Sequence, residues 1–147
     1  MEKTIKIHGE MKIINAKTRE VLRENHNMFV ATGLAEIAKW IGSDNTAVVP
    51  SHIAVGTSST APASAQTTLV GTELGRKAIS TTTVNDNSVT YVAIFDEGEA
   101  TGIWEETGVF SASSAGTMFS RAVTGTYTKG ALDKIEVHWT YTFTDGG

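Results

Sequence analysis

Ile135-Glu136-Val137-His138-Trp139-Thr140-Tyr141-Thr142-Phe143-Thr144 alternates without a break between large apolar and polar side chains. A period of two is the signature of a β-strand, because successive side chains leave opposite faces. Ile135, Val137, Trp139, Tyr141 and Phe143 therefore share one face, and Glu136, His138, Thr140, Thr142 and Thr144 the other. Such a strand covers a core with its first face and meets water or a partner with its second. Working back from it, residues 78–84 and 89–95 are two β-branched runs around Asn85-Asp86-Asn87-Ser88, which predicts a hairpin. Asn and Asp tolerate left-handed backbone angles, so the turn residues should set its register. Two further strands fit at 103–110 and 118–127, and Lys129-Gly130-Ala131-Leu132-Asp133 turns the chain into the last strand.

The first third reads as strands over 4–10, 11–15 and 20–24, the last two joined by a turn at Ala16-Lys17-Thr18-Arg19. The third is short and charged, as edge strands often are. One helix interrupts the pattern at about residues 33–41, with Leu34, Ile37, Ala38 and Ile41 spaced as one helical face. Thr32 stands at the N-cap position and Gly42 where a left-handed C-terminal cap belongs. A helix this short must pack on the sheet, and Leu34, Ile37, Ala38, Ile41 and Trp40 are expected to face inward. Residues 56–68 are small and aperiodic, which marks a long surface loop of the functional or mobile kind. Many short strands with a single helix point to an antiparallel β-sandwich. The expected organisation is one domain over residues 1–147, with a β-hairpin region at 1–30 serving as an assembly arm.

With 40% hydrophobic and 19% charged residues, the 147-residue chain can bury one real core. Its formal net charge of −4 and scattered basic residues argue against nucleic acid as a partner. There is no cysteine, which excludes disulfides, thiolate metal sites and a cysteine nucleophile. No signal-peptide pattern and no run approaching a membrane span is present, so no membrane partner is expected.

Chemistry-bearing motifs are sparse. His8, His26, His52 and His138 lack the paired spacing of a metal site. Asp96-Glu97-Gly98-Glu99 and Glu105-Glu106 read better as solvated acidic turns than as a carboxylate pair or a calcium loop. Gly71-Thr72-Glu73-Leu74-Gly75 does not match a phosphate loop, and no Gly-x-Ser-x-Gly elbow occurs. The reading is a non-enzyme without cofactor or metal. Candidate contact residues are Glu136, His138, Thr140 and Thr142 on the polar face of the last strand, and Thr57, Ser58, Ser59 and Thr60 in the long loop. Trp104, among acidic neighbours, is the tryptophan expected at the surface, whereas Trp139 is read as core. Glu73 with Arg76, and Glu106 with Arg121, are read as exposed ion pairs between turns or adjacent strands, contributing about 0–1 kcal/mol each.

A series of short segments then carries a resemblance. In order they are residues 27–34 (Asn27-Met28-Phe29-Val30-Ala31-Thr32-Gly33-Leu34), 52–57, the loop with Pro62, 69–76, 98–102, 106–110 and 116–123. The series resembles small virion structural proteins of tailed bacteriophages, of the tail-fibre, tail-collar-fibre or minor virion type, over most of residues 27–144. The resemblance implies a non-enzymatic subunit of the tail, collar or baseplate, located in the virion after assembly in the host cytoplasm. It implies partnership with itself, as a trimer or ring, and with other virion proteins. The chain lacks the repetitive shaft of a long fibre, which favours an adaptor, collar or decorating role. The alternatives are a capsid decoration protein and a module recognising a host surface glycan.

Overall fold

In the computed structural model, which describes residues 4–146, the chain is mainly β, with nine strands and one helix among those residues. The strands are β1 (Ile5–Asn15), β2 (Val21–Phe29), β3 (His52–Gly56), β4 (Glu73–Ala78), β5 (Thr81–Asn85), β6 (Ser88–Phe95), β7 (Gly102–Phe110), β8 (Met118–Lys129) and β9 (Ile135–Asp145), and α1 (Ala31–Ile41) lies between β2 and β3. All pairings are antiparallel, in the order β4-β3-β7-β8-β2-β1-β9-β6-β5. The expected antiparallel β-sandwich with one short helix is therefore the fold, made by one curled sheet whose two halves face each other.

β2 is where the sheet curls. It pairs with β1 from Val21 to Asn27 and with β8 only at Met28 and Phe29. One strand thus passes from the layer β2-β1-β9-β6-β5 to the layer β4-β3-β7-β8. Between the layers lie Met11, Ile13, Tyr91, Phe95, Val137 and Trp139 from the first, packed on Ile53, Val55, Trp104, Val109 and Phe119 from the second. The alternation in β9 is realised as read: Ile135, Val137, Trp139 and Tyr141 are buried, while Glu136, His138, Thr140 and Thr142 are half-buried on the other side. Tyr141 also joins the layers through a hydrogen bond with the Ser120 hydroxyl on β8. Complete burial raises its phenol above the ordinary range.

Several sequence expectations need correction. Residues 4–10 and 11–15 are not two strands but the single strand β1, paired along its whole length with β9. The short edge strand expected at 20–24 is nine residues long and lies inside the sheet. The hairpin of β1 and β2 contributes Met11 and Ile13 to the core and sits at the centre of the strand order; residues 1–3 of that region lie outside the described residues. Residues 78–80 belong to the end of β4 and a connection, and the hairpin begins at Thr81, with Asp86 in the left-handed region at φ 50°.

The helix is rotated from expectation, with Ile37 half-buried and Trp40 stacked on Phe119 but the rest of the apolar stripe displaced from the sheet. Val30, not Thr32, is the N-cap, and the Thr32 hydroxyl instead donates to the Met118 carbonyl. Gly42 has φ −80°, and Ser43 takes the left-handed angle. Gly33 and Glu36 face the sheet, whereas Leu34 is 46% and Ile41 76% exposed. Gly33 is the reason the helix can lie so close: a Cβ there would sit 2.4 Å from the Phe119 carbonyl oxygen. Glu36 is held inward by accepting the Val48 N–H at 2.9 Å and by Lys39 at 3.1 Å. Gly33→Ala should therefore destabilise the protein by about 1–3 kcal/mol despite alanine's better helix propensity. A urea midpoint equal to or above that of the unsubstituted chain would contradict this packing.

Candidate functional site: a buried ion pair, a strapped loop and a polar strand face

Glu106 on β7 and Arg121 on β8 are both fully buried. Arg121 donates from Nε to Glu106 Oε2 at 2.7 Å, and its Nη2 lies 2.7 Å from the same oxygen as an ion pair. The pair was expected as an exposed cross-strand contact; burial makes it a different kind of interaction. Residues 57–72 do the burying. Arg121 Nη1 donates to the Thr60 carbonyl at 2.7 Å and Nη2 to the Ser58 carbonyl at 3.3 Å. Glu106 accepts the N–H groups of Gly71 at 2.7 Å, Val70 at 3.0 Å and Ser58 at 3.3 Å. The loop is thus a strap fastened by backbone groups of both polarities to one ion pair.

Glycine allows the strap to close. A Cβ on Gly56 would lie 2.7 Å from Glu106 Oε1, and one on Gly71 2.6 Å from the Ser58 nitrogen. Beneath the strap, Leu69 packs with Val30, Ala54, Phe110 and Met118 in a second, smaller core. The Ser64 carbonyl accepts the Ala31 N–H, which ties the strap to the start of α1. Of the candidate loop residues, Ser58 and Thr60 engage Arg121 through their carbonyls, and the Thr57 hydroxyl accepts the Thr72 N–H. Ser59 is exposed. Glu73 and Arg76 do pair, at 2.7 Å, but within the single strand β4 and with the Arg76 side chain nearly buried, not as the exposed contact expected; its guanidinium lies 3.8 Å over the Phe110 ring.

The polar face of β9 is a ladder between β1 and β6. Arg19 pairs with Glu136, whose other oxygen lies 2.8 Å from His138 Nε2. Thr140 and Thr90 share a hydrogen bond at 2.9 Å, and Thr142 lies opposite His8 and Ser88. The hydrogen bond from Arg19 holds the Glu136 carboxyl below its ordinary range.

Trp104 is not at the surface. It is fully buried, donates from Nε1 to the Ala100 carbonyl at 2.7 Å, and meets Phe95 and Tyr127 edge-to-face at 5.2 and 5.7 Å. A register shift between Trp104 and Glu106 explains the misreading: it turns Trp104 toward the main core and Glu106 toward the strap. Trp40 is the tryptophan left partly exposed; it stacks on Phe119 at 6.0 Å and donates to the Val48 carbonyl. Sequence periodicity had found the apolar residues of α1 but not that Leu34 and Ile41 stay at the surface, beside Ile5 and Phe143. Among the described residues, no group of three or more His, Asp or Glu side chains is placed to hold a metal ion.

No family model, curated protein or solved structure matches this chain.

Arg121→Met leaves Glu106 buried without its counter-ion and should cost about 3–5 kcal/mol. It should also open residues 57–68 to proteolysis; an unchanged urea midpoint and cleavage rate would show that the strap does not depend on the pair. Glu136 supplies a pH signature. Its folded pKa is depressed, so its contribution to stability is present above the unfolded value of about 4.3 and fades as pH falls through the folded value. Glu136→Gln should therefore flatten the acid limb of a stability-against-pH curve below about pH 5 and leave its neutral slope unchanged.

Proposed function

We propose that the chain is a non-enzymatic structural subunit of a tailed-bacteriophage virion, an adaptor or appendage of the tail, collar or baseplate that assembles with itself and with other virion proteins. The observation that carries the reading is spatial. The segments whose order resembles such proteins meet in one place: residues 52–57, 69–76, 106–110 and 116–123 supply Gly56, Gly71, Glu106 and Arg121 to the strapped ion pair, and residues 27–34 bring Gly33 against Phe119. A motif series that builds one mechanical fastening suits a part whose task is to keep a shape under load.

A glycan-recognition role draws less support, because Trp104 and Trp139 are fully buried and Trp40 alone remains as a partly exposed indole platform. Capsid decoration stays within the same structural class and differs in location.

The test is the composition of purified particles. The chain should be present in multiple copies by quantitative mass spectrometry, and antibody-gold labelling should fall on tails. Label on heads would select the decoration reading. Absence from particles, together with a monomeric native mass, would overturn the structural reading altogether.

A further inference from the structure

Among the described residues, β5 is the last strand of the sheet and has no neighbour on its outer side. It pairs with β6 through a two-residue turn, Asp86-Asn87, flanked by Asn85 opposite Ser88. Such a turn makes the flanking residues a hydrogen-bonded pair, and the ladder alternates from there. Thr81 and Thr83 therefore direct their main-chain groups to β6, while Thr82 and Val84 direct theirs to the open side.

The two edges of the sheet are treated differently. β4, at the far end, carries Glu73, Arg76 and Lys77, engaged in ion pairs with one another or with Glu99. Charge of that kind guards an edge against pairing with another chain. β5 reads Thr81-Thr82-Thr83-Val84-Asn85, with no charge, no proline and every residue exposed. Beside its free edge lies an apolar trough, bounded by Thr82 and Val84 on one side and by Trp40, Val49 and Pro50 on the other. Val84 is 74% and Val49 61% exposed there. An open edge next to an apolar trough is the arrangement by which sheets accept an added strand: the main chain binds the edge and alternate side chains enter the trough.

We propose that this edge is occupied by β5 of a second copy of the chain, antiparallel across a two-fold axis through Thr83. The strand is self-complementary in that register. Thr82 meets Val84 of the second copy, and the reverse, so the outward main-chain groups of each pair with those of the other. Both side chains lie on the trough side, so the exposed Val84 of each copy gains cover. Thr83 meets Thr83 of the second copy on the opposite face. A two-fold axis places like near like, which an uncharged strand tolerates and a charged one does not. The nearest charge along the strand, Asp86, faces Ser80 of the second copy and not its own counterpart. The contact is short, so it belongs to the weak class of interfaces and gains strength when repeated in an assembly. It rests on the proposed self-assembly only for its use on a particle.

The absence of cysteine makes the test direct. Facing residues of a non-hydrogen-bonded pair have Cα atoms about 4.5 Å apart, within disulfide reach. Under mild oxidation of concentrated protein, Thr83→Cys should form a disulfide-linked dimer about tenfold or more faster than Thr18→Cys, placed at a turn that is also exposed. Adding Thr82→Pro removes an N–H that the monomer leaves free, and should slow cross-linking about tenfold while circular dichroism stays unchanged. Should that variant misfold, Val84→Lys serves the same purpose at a side chain already in solvent. Equal cross-linking by Thr83→Cys and Thr18→Cys, or no effect of the edge substitutions, overturns the proposal. If native mass shows an oligomer while Thr83→Cys fails to cross-link, the edge proposal alone falls. Specific cross-linking by a chain absent from particles upholds the edge and sinks the virion reading.

Discussion

A carboxylate and a guanidinium removed together from water cost several kcal/mol each in lost hydration, and their mutual attraction offsets this only when the remaining donors and acceptors are satisfied. In this protein the satisfying groups come from the strap: carbonyls of Ser58 and Thr60 for Arg121, N–H groups of Ser58, Val70 and Gly71 for Glu106. The dependence runs both ways. Without the strap the pair would be an ordinary contact on the outside of a sheet; without the pair the strap would have no polar anchor and little apolar area of its own. Leu69 is the chief large side chain it buries. Loop order and ion-pair burial are therefore one cooperative event, and the small residues of 56–72 follow from it. Where the strap closes there is no room for a side chain at Gly56, the end of β3, which faces Glu106, or at Gly71, which lies against the strap's own Thr57 and Ser58.

The same pair shows where sequence reading reaches its limit. Period two in residues 135–144 revealed β9 and correctly buried Trp139, because a regular strand between two neighbours keeps its alternation throughout. β7 does not. One shifted residue between Trp104 and Glu106 reverses which face the following side chains take, so the indole read as exposed is core and the carboxylate read as exposed is buried. Nothing in Ile103-Trp104-Glu105-Glu106 announces a bulge, since its cause is the pairing with β8. β2 was cut short for a related reason. Asn25-His26-Asn27 is poor strand sequence, but Asn25 is held by the Val123 carbonyl and Asn27 fits over Gly9, where no Cβ stands in its way.

The helix presents a subtler failure. Its apolar spacing is real, yet periodicity identifies a stripe and not the direction of the sheet. Direction was settled by the smallest residue and an acid. Gly33 lets the helix backbone approach Phe119, and Glu36 turns inward because the Val48 N–H and Lys39 give its oxygens partners. Close approach of backbones and a satisfied buried carboxylate prevailed over the burial of Leu34 and Ile41. That result leaves apolar surface uncovered, which a self-contained globular domain has little reason to keep.

The distribution of that surface bears on where a partner would gain most from contact. The polar face of β9 is already provided for: Glu136 has Arg19 and His138, and Thr140 has Thr90. A partner landing there must compete with bonds in place, so contact would add register and specificity more than affinity. Exposed apolar side chains such as Leu132 and Ile103 stand outside these clusters, whereas two clusters form on the helix side, Ile5, Leu34 and Ile41 in one and Val49 and Val84 beside Trp40 in the other. Burial of apolar area, unlike exchange of satisfied polar groups, is a net gain on association. If the chain assembles, the driving contacts therefore belong to the helix side and the β5 edge, with the threonine ladder left to align them.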